Sequence, residues 1–430
     1  MPKQGKPGRG IAPTAKNQIS RKNGQKPPKP GFFRCNFGAC AFPLPMNLAL
    51  FFDPLPETLT DAAPAPTTLA AYATRFTETF PDWRTADLAI IGLDEWRGSA
   101  AGPPNARRHG PNEVRQRFYQ LQKGSGLLRL VDLGNLRPGL TLEDTYQRLR
   151  EIIGALLEEN TVPILLGGSH DLDYGQFLAY EVQNRTINVT VVDSRPDMAE
   201  PGPGTPPEES HLRRLLVHEP NIVFSLAHLG HQQYLTPPEV MVALEKLHFD
   251  TMSVGEVRGD RRLAEPMVRQ ADFMSVDVAA IRWQDSPGYL PANPFGLGNE
   301  EATQLCWYAG HNEQLSSFGL YGYRADVDPN GLAAATIATM LWYFVEGFYH
   351  RRPETGFGTF RFLTYTVVLP GNPDKLVFYK SRRAEKWWME VERLGDNATK
   401  RVVPCTYEDY LNASQGDLPQ RWIRLQALLS

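Results

Sequence analysis

The sequence predicts an α/β fold of three layers, in which a mainly parallel sheet is covered by helices on both faces. Two observations predict this class. Between residues 86 and 309, short apolar runs that suit strands buried on both faces alternate with longer segments of helical periodicity. Beyond residue 350, two alternating strands at 362–369 and 376–379 flank a Pro/Gly-rich turn, which predicts a C-terminal β-hairpin extension.

The apolar runs have the length of strands, and helical segments lie between them. The predicted strands are 86–94, 162–166, 188–193, 221–226 and 273–278. The predicted helices are 141–159, 172–183, 237–248 and 300–309. The first helix has the clearest start, because Thr141 with Asp144 three residues later resembles a capping box. Strands separated by helices imply parallel pairing, and chemistry then lies at the carboxyl ends of the strands.

Three regions follow from composition. Residues 1–45 carry nine basic side chains, are rich in Pro and Gly, and no acid precedes Asp53. This predicts a disordered basic tail or a start assigned too early, with translation beginning at Met46; a basic arm for nucleic acid or an anionic surface is the functional alternative. We expect residues 46–350 to form the α/β domain and 351–430 an extension packed on its core.

The composition also limits the class of protein. With 42% hydrophobic and 22% charged residues, the chain of 430 residues suits a soluble globular protein. There is no uninterrupted apolar window of about 18 residues for a membrane span, and a net charge of -3 does not favour nucleic acid. Four cysteines without a Cys-x-x-Cys pair predict no disulfide framework or zinc site, which favours a reducing cytoplasm.

Metal-binding side chains follow three of the predicted strands. His170 ends a Gly-Gly-Ser-His element, Asp193 and Asp197 come after the strand at 188–193, and Asp277 comes at the end of 273–278. The carboxyl ends of parallel strands meet at one edge of a sheet. One imidazole with three carboxylates suits Mn²⁺ better than Zn²⁺.

This ordered series resembles the ureohydrolases, the family of arginase, agmatinase and formimidoylglutamase. That family carries Gly-Gly-Asp-His, Asp-x-His-x-Asp and Asp-x-Asp elements in this order on successive parallel strands. Residues 110–115 and 131–134 resemble its Gly-Pro-x-x-x-Arg segment and the strand that follows. The resemblance spans roughly residues 85–350 and implies the three-layer arginase-like fold. Within the family, the chain is most similar to a divergent formimidoylglutamase-like branch found in Bacteroidetes, on the segments 277–282, 285–288, 308–310 and 342–344.

The resemblance implies a metal centre that has partly been lost. Family members bind two Mn²⁺ ions. The positions that match the ligands of one ion all keep their donors, and they are His170, Asp193, Asp197 and Asp277. The two further ligands of the other ion match Arg195 and Ala279, neither of which can coordinate a metal. We therefore expect at most one Mn²⁺ ion.

Two more family positions differ. Ser169 replaces the Asp of Gly-Gly-Asp-His, and Gly322 stands where the family places a catalytic Glu, so no catalytic residue is assigned. We expect Arg195 to stand in for the second ion, because a guanidinium there would offset the crowded carboxylates. The alternative is that Arg195 points to solvent in a centre that has drifted.

Three histidines remain open. His228 and His231 are either metal ligands or structural residues, and nothing near them in the sequence completes a ligand set. His211 follows the Pro/Gly-rich loop 201–207, where active family members often have a substrate-contacting His. The loop alignment is too loose to transfer that role.

The sequence thus predicts a metal-dependent hydrolase for the guanidino or formimino C–N bond of a small-molecule substrate. The alternative is a catalytically inactive ureohydrolase-fold protein that serves as a binding or assembly module. The resemblance further implies a homo-oligomer. We expect no nucleic-acid or membrane partner.

Overall fold

The computed structural model describes residues 47–59, 64–103, 109–183, 185–352, 354–371, 373–392 and 400–429. The predicted basic tail at 1–45 therefore lies outside the described residues. Asn47–Ser430 form one compact unit, which includes the C-terminal extension.

Ten strands form the central sheet within the described part of the chain. They are β1 (Phe52–Asp53), β2 (Thr74–Arg75), β3 (Leu88–Gly92), β4 (Leu130–Leu136), β5 (Val162–Leu166), β6 (Ile187–Val192), β7 (Val223–His231), β8 (Asp250–Ser253), β9 (Phe273–Asp277) and β10 (Ser317–Tyr321). Their order is β1-β4-β3-β5-β10-β9-β6-β7-β8, and β2 pairs with β4. Only the β1–β4 pair is antiparallel among these described strands, which confirms the predicted mainly parallel sheet.

Helices cover both faces of this sheet. They are α1 (Gly110–Phe118), α2 (Leu142–Glu158), α3 (Asp173–Glu181), α4 (His211–Leu216), α5 (Pro238–Lys246), α6 (Val254–Gly259), α7 (Glu265–Gln270), α8 (Asn299–His311) and α9 (Leu332–Tyr349). One apolar core lies between the sheet and α1, α8 and α9, and a second lies between the sheet and α2, α3 and α4. The predicted capping box at Thr141 and Asp144 is present at the start of α2.

Strand β7 is longer than the sequence predicts. The predicted strand ended at residue 226, whereas β7 continues to His231. Parallel pairing sustains the extra residues, since Leu229 lies opposite Val192 of β6 and His231 opposite Ser253 of β8. His and Gly interrupt the apolar pattern there, so the pattern alone could not reveal the strand.

Helix α9 is long and apolar enough to cross a membrane by length and composition, with a mean hydropathy of 1.2 over its 18 residues. Thr336 and Thr339 interrupt its apolar run in the sequence. Ile337, Leu341 and Phe344 of α9 are buried in the core that α1 and α8 share, and 56% of the helix is buried. It is a core helix of this fold.

The extension contains the predicted hairpin and continues it. Its elements are β11 (Phe362–Val368), β12 (Lys375–Ser381), β13 (Trp387–Glu392), β14 (Lys400–Cys405), α10 (Tyr407–Ser414) and α11 (Gln420–Leu429). The four strands form an antiparallel sheet in chain order. Trp387, Trp388 and Trp422 are all buried. They pack within the extension and against residues such as Arg269 of α7.

Candidate metal centre

Four adjacent strands bring the expected metal ligands to one edge of the sheet. Strands β5, β10, β9 and β6 are neighbours, and their carboxyl ends lie side by side. His170 follows β5, Asp277 is the last residue of β9, and Asp193 directly follows β6. Asp197 lies four residues further along the loop after β6. The parallel register therefore gathers side chains that are more than a hundred positions apart in the chain.

A tight glycine turn positions His170. Gly167 and Gly168 have φ angles of 89° and 75°, and a Cβ on Gly168 would lie 2.3 Å from the Leu172 side chain. The turn leaves His170 buried, with Nδ1 3.2 Å from Asp193 Oδ2 and 3.4 Å from Asp277 Oδ2. One ring nitrogen thus faces two carboxylates.

Backbone amides fix those two carboxylates. Ala279 N donates to Asp277 Oδ1 at 2.6 Å, and Ser194 N donates to Asp193 Oδ1 at 2.5 Å. Each carboxylate therefore has one oxygen bound to the chain and one oxygen, Oδ2, directed at His170. A converging nitrogen and two anionic oxygens are donors that divalent transition metals accept.

Asp197 meets a residue that the sequence analysis left open. His211 Nε2 lies 3.5 Å from Asp197 Oδ2, and the His211 ring centroid is 4.1 Å from that of His170. One donor atom from each of His170, Asp193, Asp197 and His211 lies within 4.8 Å of the other three. This group shares three residues with the expected ligand set. It contains His211 instead of Asp277. Asp277 lies outside the group but is 3.4 Å from His170 Nδ1.

The carboxylates of this cluster are crowded. Burial and the charge of Asp193 raise the pKa of Asp277 to about 8. Burial and Asp193 also raise the pKa of Asp197 above its ordinary value. For Asp193 itself, burial is outweighed by the hydrogen bond and charge of His170, which lower its pKa. The cluster therefore has more negative charge than its neighbours fully compensate, which favours a cation.

Nearby carboxylates raise the pKa of both His170 and His211. Burial and the nearby His211 oppose protonation of His170, yet the hydrogen bond with Asp193 raises its pKa. Burial likewise opposes protonation of His211, but the charges of Asp173 and Asp197 raise its pKa well above the ordinary value. Each imidazole thus lies in a field that attracts positive charge, whether from a proton or from a metal ion.

Arg195 lies at the rim of the cluster. Its Nε donates to Asp197 Oδ1 at 3.0 Å, and its Nη2 lies 3.5 Å from Glu209 Oε1, while 41% of the side chain is exposed. Burial is outweighed by the charge of Asp197, so the pKa of Arg195 is raised. The guanidinium therefore contacts one of the expected ligands and also reaches solvent. Ala279, the other position at which the expected donor is missing, is buried and presents only a methyl group.

Gly322 and Ser169 have structural reasons for their identity. Gly322 has a φ of 78°, and a Cβ there would lie 2.5 Å from Asp277 Oδ1. A larger side chain at this position would have to displace Asp277 and adopt an unfavourable backbone conformation. Ser169 is buried, with its Oγ 3.4 Å from the carbonyl oxygen of Glu95.

Three polar residues of the site were not predicted from the sequence. Asp173 and Ser275 are fully buried behind the histidines: Asp173 Oδ1 lies 2.9 Å from His211 Nδ1, and Ser275 Oγ lies 3.1 Å from His170 Nε2. Glu208 accepts hydrogen bonds from Ala100 N at 2.8 Å and Ser99 Oγ at 3.1 Å, and burial raises its pKa. The acidic run that precedes His211 was the available signal for Glu208.

His228 and His231 do not join the cluster. Both belong to β7 and are buried, and neither ring nitrogen of His228 has a well-formed hydrogen bond with any described residue. Burial lowers the pKa of His228 to about 3. His228 is therefore a neutral ring within the core of the sheet.

A cavity of about 410 Å³ borders the cluster. Its polar wall includes Arg195, Asp197, Glu209 and Arg213. Its apolar wall includes Leu235 and Val240. This size is within the range of small-molecule sites, so the cavity offers space beside Asp197 for part of a ligand.

Comparison with known proteins gives the same family throughout. A model of the arginase family matches residues 86–345. Formimidoylglutamase of Lysinibacillus sphaericus is 22% identical over 263 residues, which cover 56% of this chain and 79% of that protein. Formimidoylglutamase of Bacillus subtilis is 21% identical over 295 residues, which cover 64% of this chain and 92% of that protein.

Solved structures share the fold. Trypanosoma cruzi formiminoglutamase with Mn²⁺ superposes with a TM-score of 0.58 at 21% identity, covering 67% of this chain and 99% of that one. The agmatine ureohydrolase of Thermoplasma volcanium gives a TM-score of 0.53 at 17% identity, covering 62% and 91% of the two chains. The arginase-family model ends before β11, so the four-stranded extension lies beyond the matched region.

Proposed function

Because this chain belongs to the arginase family, we propose that it is a formimidoylglutamase-like hydrolase that cleaves a guanidino or formimino C–N bond. We further propose that its centre holds at most one Mn²⁺ ion. The observation that carries the proposal is the convergence of His170 Nδ1 with Asp193 Oδ2 and Asp277 Oδ2 at the carboxyl edge of the sheet.

The donor set fits one divalent ion. His170 and Asp193 contribute to the group of mutually close donor atoms, and Asp197 adds a third donor. Asp277, whose pKa is raised by burial and by the charge of Asp193, supplies a fourth donor, a third carboxylate that a cation would stabilise in its ionised form. We propose His170, Asp193, Asp197 and Asp277 as ligands, and Mn²⁺ as the metal, because hard oxygen donors predominate.

A second ion lacks its ligands. Ala279 has no donor atom beyond its backbone, and Arg195 carries a permanent positive charge. The contact of Arg195 with Asp197 supports a role for the guanidinium as a partial substitute for the second ion. Its exposed fraction of 41% also supports the alternative, in which the side chain mainly faces solvent.

The residues around the ion suit a cationic amidine substrate. A bound divalent ion supplies Lewis-acid polarisation and lowers the pKa of a coordinated water. Glu208 is a further carboxylate whose charge acts on Asp277, and an amidinium or guanidinium group can donate hydrogen bonds to such a carboxylate. The cavity beside Asp197 would hold the rest of the substrate, which is a small amidine or guanidino compound.

A second candidate function is favoured by Gly322. If the family's catalytic Glu belongs at position 322, a Glu cannot simply be introduced there. Gly322 has a φ of 78°, and a Cβ at this position would lie 2.5 Å from Asp277 Oδ1. The second candidate is a catalytically inactive protein that uses the same fold for binding or assembly. A homo-oligomer and a cytoplasmic location remain proposals for either function; buried, unpaired Cys306 and Cys405 are compatible with a reducing compartment.

Metal analysis combined with an activity assay tests the proposal. The full chain is loaded with excess Mn²⁺, desalted, and assayed on N-formimino-L-glutamate, agmatine and arginine. We expect one ion per chain and slow turnover of one of these substrates. Two ions per chain would contradict the single-ion centre, and one ion without turnover of any amidine would favour the inactive alternative.

A double variant gives the matched comparison. Arg195→His with Ala279→Asp restores the two missing donors, whereas Gly322 is left unchanged because any side chain would meet Asp277. We expect this variant to bind two Mn²⁺ ions and to turn over faster than the natural sequence. If only the double variant is active, the native chain is the inactive alternative.

A further inference from the structure

The polar residues behind the metal cluster form one connected network. Ser275 Oγ lies 3.1 Å from His170 Nε2 and donates to Asp173 Oδ2 at 3.2 Å. The other oxygen of Asp173 lies 2.9 Å from His211 Nδ1. All four side chains are buried. A single pair, Asp173 and Ser275, therefore orients both imidazole rings from the side away from the cluster.

The two nitrogens of His211 have different environments. The Nδ1–Asp173 distance of 2.9 Å is that of a strong hydrogen bond, whereas the Nε2–Asp197 distance of 3.5 Å is too long for a good one. Nε2 thus points at Asp197 across a gap. A histidine whose one nitrogen is bound to a carboxylate while the other faces anionic donors has the arrangement of a metal-ligating histidine.

The loop that carries His211 is held against the cluster by the backbone. Ala199 N donates to Glu209 O at 3.0 Å, and Arg213 N lies 3.4 Å from Asp197 O. These contacts join the start of α4 to the segment that contains Asp197. His211 therefore enters the site from an element other than the strand ends that carry His170, Asp193 and Asp277.

We infer that His211 Nε2 is a ligand of the single metal ion, and that Asp173 is the positioning residue that orients it. The centre is then a mononuclear site with two histidine ligands, His170 and His211. His211 supplies a second nitrogen donor, whereas Arg195 cannot coordinate a metal. This inference rests on the proposed metal-binding function. Arg195 is not a ligand of this ion. The buried Asp173 lies between the two imidazoles because it orients His211 directly and His170 through Ser275.

Pulsed electron paramagnetic resonance of the Mn²⁺-loaded full chain tests the inference directly. Electron spin echo modulation counts the ¹⁴N nuclei that coordinate Mn²⁺. We expect two histidine nitrogens in the natural sequence and one in His211→Gln, with Mn²⁺ affinity weakened by at least tenfold. His228→Gln is the matched control, because His228 is an equally buried neighbour outside the group, and it should retain two nitrogens and unchanged affinity.

The positioning role of Asp173 has its own readout. Asp173→Asn should weaken Mn²⁺ binding by about 10-fold to 100-fold, the usual effect of losing such a partner, and should retain two coordinating nitrogens. One nitrogen in the natural sequence, with Mn²⁺ bound, would overturn the inference and leave the proposed function intact. Failure of the natural sequence to bind Mn²⁺ would overturn both. The number of nitrogens that coordinate Mn²⁺ in the natural sequence tests the inference even if His211→Gln does not fold.

Discussion

Two clusters of buried charge lie on the same sheet, and they differ in how completely their polar groups are paired. Beside β4, Arg115 donates from Nε and Nη2 to the two oxygens of Asp132, both at 2.8 Å, and from Nη2 to Gly134 O at 2.9 Å. Tyr119 also donates to Asp132. Both charged side chains are fully buried. This cluster is complete as protein alone.

The metal cluster is looser. Asp277 Oδ2 lies 3.4 Å from His170 Nδ1, and Asp197 Oδ2 lies 3.5 Å from His211 Nε2. These distances exceed those of good hydrogen bonds, although the side chains are just as buried. The structural ion pair therefore closes its contacts directly, whereas the candidate metal cluster leaves separations that suit the ion we propose there.

The largest effect should come from breaking the complete cluster. Arg115→Met leaves the Asp132 carboxylate buried without its main partner, which should cost about 3–5 kcal/mol of unfolding free energy. Urea denaturation followed by circular dichroism measures this. Arg137→Met is the control: its pair with Asp53 is about half exposed, so its loss should cost about 0–1 kcal/mol. Equal losses of unfolding free energy in the two variants would show that the buried pair stabilises the fold no more than the exposed pair does.

Metal should stabilise the loose cluster. At a free Mn²⁺ concentration about 100 times the dissociation constant, the unfolding free energy should rise by about 2.7 kcal/mol, and a chelator should remove the gain. Asp193→Asn should abolish the gain, because Asp193 contributes to the group of close donors. The same denaturation curves with and without Mn²⁺ measure it. A gain that survives Asp193→Asn would place the ion elsewhere.

A smaller effect should separate backbone strain from damage to the cluster. Gly322 and Gly358 both have positive φ, of 78° and 82°, but a Cβ on Gly358 would meet nothing within 4 Å. Gly358→Ala should therefore cost about 1–2 kcal/mol from the backbone alone. Gly322→Ala should cost more and should also weaken Mn²⁺ binding, since it displaces Asp277. Isothermal titration with Mn²⁺ checks the second part; identical affinities in the two variants would contradict it.

The subtlest test uses pH on the metal-free protein. Burial and the charge of Asp193 raise the pKa of Asp277 to about 8, whereas an unfolded Asp titrates near pH 4. The folded state therefore binds this proton more tightly, and stability should fall as pH rises from about 4 to about 8. Asp277→Asn removes that component, so its stability should fall less over this interval. Parallel pH curves for the two proteins would refute the assignment.

Much of the fold could be predicted because local sequence carries it. The helix α2 begins at a capping box formed by Thr141 and Asp144, and the strands β5 and β9 are mainly apolar and buried at every position. The extension was predicted only as a hairpin. Its third and fourth strands, β13 and β14, were not predicted, and Trp387 and Trp388 of β13 are buried in the structure. Their burial depends on packing within the second sheet and against α7.

The candidate site was predicted in part for the same reason. Strand ends in an ordered α/β pattern pointed to His170, Asp193 and Asp277, which the structure brings together. Asp173 and Glu208 gave no such signal, because each lies outside a strand end. Asp173 is the first residue of α3, and the place of Glu208 depends on the loop that ends at α4 and on its backbone contact with Gly98.

By itself, the sequence determined the fold class, the order of the candidate metal-binding motifs, and the presence at positions 195 and 279 of Arg and Ala, whose side chains cannot coordinate a metal. These are properties of residue type and short-range pattern. Only the tertiary structure decided that His211 enters the cluster, that Asp173 lies behind it, and that Gly322 has no room for a side chain. The physical reason is that loop closure and strand register, which join residues far apart in the chain, set these distances.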